Sequence, residues 1–79
     1  MHWLDEMLAA LARDAGVDPS ELELGADVRE EILDLARIAS HDSGERINAP
    51  LLCYALGLAV GGGARLDALA STIRARTGG

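Results

Sequence analysis

The chain has 79 residues, 13 acids against 7 basic residues and a net charge of −6, with 49% apolar residues. That length leaves room for one domain only, here residues 1–79, and burial of about 60% of the unfolded chain's surface. The apolar share and the absence of low-complexity runs exclude a disordered chain. Phe is absent, with one Trp and one Tyr, so the core must come from Leu, Ala, Ile and Val, which suits closely packed helices. Charge is unevenly placed. Residues 1–45 hold twelve acids and three arginines, whereas residues 46–79 hold Asp67 and four arginines. An acidic first half argues against nucleic-acid binding and can pack against, or steer, something basic.

In chain order, Trp3, Leu4, Met7, Leu8 and Leu11 repeat at the spacing of one helical face, which predicts a helix over about 3–15 ended by Gly16. Asp18-Pro19-Ser20-Glu21 is a compact helix-start signal, with Asp as cap and Pro at the first position. Only one turn fits before Gly25, with Leu22 and Leu24 turned inward. A second long helix is expected from an Asp27 cap with Glu30 three residues on. Its stripe is Val28, Ile32, Leu35 and Ala39, widened by Leu33, Ala36 and Ile38, and it should fade near residues 40–42.

A polar loop, Ser40 to Asn48, leads to a third helix capped by Asn48 or Ala49, with Pro50 in its tolerant first turn. From Leu51 to Val60 this helix is apolar all round, which predicts a central position enclosed on most sides. Gly57 within it costs about 1 kcal/mol relative to Ala, a cost that a close approach by a neighbouring helix would explain. Gly61-Gly62-Gly63 ends the element. A fourth helix over about 64–76 turns Leu66, Leu69, Ala70 and Ile73 inward. The fold class expected is all-α, a compact bundle of four main helices with the third at its centre.

Candidate chemistry is sparse. The single cysteine, Cys53, lies in the apolar third helix and is expected as a buried structural thiol. His41 is flanked by Ser40 and Ser43, small polar residues of the kind that make caps and turns rather than a nucleophile–base pair. Cys53, His2 and His41 lack metal-ligand spacing. The glycine triplet with Arg65 suggests a phosphate cradle, but no strand precedes it and no nucleotide-binding pattern surrounds it. A helix-turn-helix reader is disfavoured, since the third helix offers only Asn48 and Tyr54 for base edges. The twelve-residue apolar run Ala49 to Val60 is too short to cross a bilayer, and the first residues lack a signal peptide's basic start. A cytoplasmic protein with no catalytic residues, metal or cofactor, and no nucleic-acid or membrane partner, is the expectation. What remains is protein binding, with Trp3 as a candidate anchor.

Val28 to His41 (VREEILDLARIASH), Arg46, Ala49-Pro50-Leu51 and Tyr54-Ala55-Leu56-Gly57-Leu58-Ala59-Val60-Gly61 together resemble a family of short bacterial helical domains of unknown function. Leu4-Asp5-Glu6, Leu8-Ala9-Ala10-Leu11 and the Gly-Val-Asp-Pro segment are also similar. Members are encoded beside, or fused to the C-terminal end of, molybdenum cofactor guanylyltransferases. The resemblance implies an accessory role in molybdenum cofactor maturation with that enzyme as partner, and His41, Arg46 and Trp3 are the candidate contacts. Two alternatives stand beside it. One is a self-associating domain that forms a homodimer, favoured by the apolar excess for so small a core. The other is an acyl or peptidyl carrier modified on Ser43, although such domains place their serine at the start of the second helix, within Asp-Ser-Leu, and here the order is Asp42-Ser43-Gly44 after two helices.

Overall fold

The computed structural model describes residues 3–77. It contains α1 (Trp3–Ala15), a single 3-10 turn (Pro19–Leu22), α2 (Ala26–Ser43), α3 (Asn48–Gly61) and α4 (Leu66–Arg76). No strand occurs among the described residues. The fold is an all-α bundle of four helices, as the periodicity predicts.

Local grammar sets most boundaries. Gly16 ends α1 in the left-handed region at φ 72°, a conformation that residues with a Cβ rarely adopt. Asp18 caps the 3-10 turn: Asp18 Oδ1 accepts from Ser20 N at 2.9 Å, while Glu21 reaches back to the Asp18 N–H at 3.4 Å. The helix after it departs from expectation. Its N-cap is Gly25, and Asp27 lies inside the first turn, where an acid favours the helix dipole but makes no cap bond. It also runs one residue past the expected fade, to Ser43, and Gly44 closes it at φ 77°. Ser43 Oγ bonds Ala39 O at 2.6 Å and accepts from Glu45 N at 3.1 Å, which secures that last turn. Helix α4 starts at Leu66, two residues later than its pattern suggests, because Ala64 N still donates to Ala59 O in the α3 cap.

The core sits between α2, α3 and α4. Leu35, Ile38, Leu56 and Ala70 are buried there, with Ile32, Leu52, Leu66, Leu69 and Ile73 packed around them. Helix α2 packs along α3, and α4 touches both. Two charge-assisted contacts clamp α4 to α2: Arg74 meets Glu31 at 2.6 Å and Asp34 at 2.8 Å. The acidic first half and basic second half are thus complementary within the chain, at least along this seam.

Two expectations about the core need correction. Helix α3 is apolar all round, yet it is not enclosed. The Leu52–Leu56 side faces the core, whereas Ile47, Leu51, Tyr54 and Leu58 are 61–70% exposed. Helices α2 and α3 share the middle of the bundle, each packed on the other and touched by α4. Helix α1 also differs: it packs against the 3-10 turn, burying Ala12, and its Trp3-Leu4-Met7-Leu11 face remains open. Arg29 of α2 ties α1 to the bundle by donating to Asp5 at 2.7 Å, and it also donates to Leu24 O at 2.9 Å in the connection before α2. The molecule is correspondingly drawn out, 38 × 26 × 19 Å.

Candidate functional site

Ile47, Leu51, Tyr54 and Leu58 are spaced by four, three and four residues, which places them in one line along α3. At 67%, 63%, 70% and 61% exposure they form a contiguous apolar stripe. Helix α3 has no charged residue from Asn48 to Gly61, so nothing interrupts the stripe. Isolated exposed leucines are ordinary on any surface, whereas these four apolar side chains stand side by side along one helix. Gly57 and Gly61 border it. A Cβ added at Gly57 would meet nothing within 4 Å. The close intrachain helix approach expected at Gly57 is therefore absent, and its backbone is instead open to a visitor.

The stripe begins at the polar α2–α3 connection. His41 lies exposed in the last turn of α2, and Arg46 lies exposed immediately before Ile47. Arg46 forms no ion pair among the described residues. The two candidate contacts are thus near one end of the stripe in sequence, free to meet an acidic or hydrogen-bonding partner group. Trp3, the third candidate, is 72% exposed on α1 and so does not close the core. It belongs to a second open face with Leu4, Met7 and Leu11, on a helix that does not pack against α3.

The other candidate sites resolve into structural roles. Gly62 N donates to Leu58 O and Ala59 O, Gly63 N to Val60 O and Ala64 N to Ala59 O. Each of these N–H groups serves the carbonyls at the end of α3, so the glycine triplet offers no cradle for an anion. Arg65 is turned to Asp67 at 2.8 Å, and that pairing holds the Asp67 carboxyl below its ordinary range. Ser43 ends a helix, and its hydroxyl is engaged by Ala39 and Glu45. A carrier serine must present its oxygen at a helix start, so this geometry does not favour that chemistry. Cys53 is half-buried, and burial pushes its thiol pKa up, away from the thiolate a nucleophile needs. Among the described residues no three His, Cys, Asp or Glu side chains gather where they could hold a metal ion.

Two grooves remain. One, of about 300 Å³, lies between α1 and the 3-10 turn, lined by Leu8, Pro19 and Leu22 with the Asp5–Arg29 pair. The other, of about 400 Å³, lies where α2, α3 and α4 meet, lined by Asp42, Asn48, Leu52, Ile73 and Arg76. In the first groove Asp5 and Arg29 pair with each other, and Glu23 stands at its edge. The second is mostly apolar and opens at the same end of α3 as Arg46. No described helix is long and apolar enough to cross a membrane.

The exposed stripe escapes sequence reasoning because a helix with apolar residues on every side reads as a buried one. The available signal was the pairing of two complete stripes on one helix, Leu52-Leu56-Ala59 and Ile47-Leu51-Tyr54-Leu58, in a chain too short to cover both. No curated protein and no solved structure matches this chain. One family profile does, over residues 1–78, and by it the chain belongs to DUF6457, a family of domains of unknown function.

Proposed function

We propose that this chain is a non-catalytic protein-binding domain whose docking surface is the open face of α3. The observation that carries the reading is the uncharged stripe Ile47-Leu51-Tyr54-Leu58, exposed along a helix whose opposite side builds the core. Arg46 and His41 at its N-terminal end supply polar contacts at the rim, where charges steer and orient a partner more than they add affinity. Tyr54 at the centre is the natural anchor, being a large side chain with an apolar body and a polar tip. Trp3 offers a second anchor on α1.

The partner that the family resemblance suggests is a molybdenum cofactor guanylyltransferase, to which the domain would act as an accessory in trans. Helix-in-groove recognition fits this surface: a helix with anchors at four- and three-residue spacing seats in an apolar groove of the enzyme. Titration calorimetry of the domain into the guanylyltransferase of the same genome tests the reading. Micromolar or tighter binding is expected, weakened at least tenfold by Tyr54→Ala with Leu58→Ala while helical circular dichroism is unchanged. Binding indifferent to that pair of substitutions would remove α3 as the surface. No heat at several temperatures would remove the guanylyltransferase as the partner.

A further inference from the structure

We infer that, when no enzyme is bound, a second copy of this chain covers the α3 stripe, with α1 of each protomer laid over α3 of the other. This rests on the reading of α3 as a binding face and concerns how that face is kept from water. The chain carries two separate apolar stripes, Trp3-Leu4-Met7-Leu11 on α1 and Ile47-Leu51-Tyr54-Leu58 on α3, and neither covers the other within the molecule. At roughly 200 Å² per large side chain, the α3 residues leave on the order of 500 Å² uncovered and the α1 residues about 400 Å².

A two-fold pairing of α3 on α3 would bury about 1,000 Å² in total, the bottom of the range for a specific interface. A two-fold pairing of α1 on α3 uses both stripes twice and buries about 1,800 Å², which is a standard interface. Area therefore selects the reciprocal arrangement. Charge agrees with it. Helix α3 is uncharged between Asn48 and Gly61, so it sets no like charge against the acids Glu6 and Asp14 of the α1 laid over it. Glu6 and Asp14 on α1 make no ion pair among the described residues, and neither does Arg46 beside the α3 stripe. The open backbone at Gly57 gives the Trp3 ring a place to lie against α3.

Sedimentation velocity between 1 and 100 μM tests this directly. The wild-type chain is expected as a dimer. Leu51→Glu with Leu58→Glu on α3, and separately Trp3→Glu with Met7→Glu on α1, should each sediment as a monomer with helical circular dichroism retained. Tyr54→Arg alone, a milder change at a 70% exposed position, should weaken dimerisation at least tenfold and guards against misfolding of the double variants. Leu33→Glu, at an equally open leucine on α2 outside both stripes, should stay dimeric. A wild-type monomer at 100 μM overturns the inference, as does a dimer that survives either charged pair. The two readings fail separately: a monomer that still binds the enzyme through α3 leaves the binding function standing. A dimer disrupted by both pairs in a protein that never binds the enzyme leaves only self-association.

Discussion

Leu35 and Leu58 are both leucines within long apolar helices, and the structure assigns them opposite energetic weights. Leu35 is completely buried between α2, α3 and α4, whereas Leu58 is 61% exposed. Truncation of Leu35 to Ala removes three buried carbons and leaves a cavity, at a cost of about 2–5 kcal/mol. A domain of 79 residues has about 4–12 kcal/mol of stability in total, so Leu35→Ala should leave it near the edge of unfolding. Full burial of a leucine is worth about 1.5–3 kcal/mol, and Leu58 realises well under half of that in a single chain. Leu58→Ala should therefore cost below about 1 kcal/mol. Urea unfolding followed by circular dichroism measures both, at concentrations low enough to keep the chain monomeric. The midpoint should fall far more for Leu35→Ala, with the slope similar in the two variants. An equal or larger loss for Leu58→Ala would mean that α3 is enclosed after all, and the docking face would not exist.

Gly57→Ala should stabilise the monomer by about 0.5–1 kcal/mol, because the added Cβ meets open space in a helix interior; thermal unfolding in the Leu51→Glu, Leu58→Glu background reads this. The same substitution should weaken partner binding, so a parallel gain in both measurements would contradict close docking at Gly57. Hydrogen bonds from Arg74 hold the Glu31 and Asp34 carboxyls below their ordinary values of 4.5 and 3.8. The unfolded chain then binds more protons in acid, so this contribution is complete above those values and is lost as pH falls through the lowered folded ones. Arg74→Met should accordingly destabilise at pH 7 and flatten the acid limb of stability against pH; parallel curves for the two proteins would deny the clamp. Gly44→Ala places a Cβ at φ 77° and should lower stability by about 1 kcal/mol, measured by the urea midpoint. An unchanged midpoint would mean that the α2 cap relaxes freely.

Element type was legible wherever a cap and a periodic stripe coincided. Gly16, the Asp18-Pro19 start, Pro50 and the glycine triplet are local devices, and local physics acts the same way in any fold. The inward set of α4, Leu66, Leu69, Ala70 and Ile73, was legible for the same reason, since only one side of that helix is apolar. The N-terminus of α2 was less so, because Gly25 and Asp27 are both acceptable caps and the choice between them depends on where the preceding turn delivers the chain. Burial of α1 and α3 was not legible. Periodicity says which residues share a face, but the amount of neighbouring surface decides whether that face is covered. Trp3, His41 and Arg46 are legible as candidate contacts from residue type and place in the chain, and the structure leaves all three exposed. The α3 stripe emerged only with packing, because its residues look the same in sequence as the core residues between them.

Docking of a protein partner on the open side of α3 can be read directly in solution. Methyl NMR of the domain, labelled at Ile, Leu and Val and titrated with the guanylyltransferase, addresses it residue by residue. The methyls of Ile47, Leu51 and Leu58 should shift or broaden on addition of the enzyme, while those of Leu35 and Ile38 in the core hardly move. Shifts confined to other surfaces, or a spectrum unchanged by saturating enzyme, would contradict it.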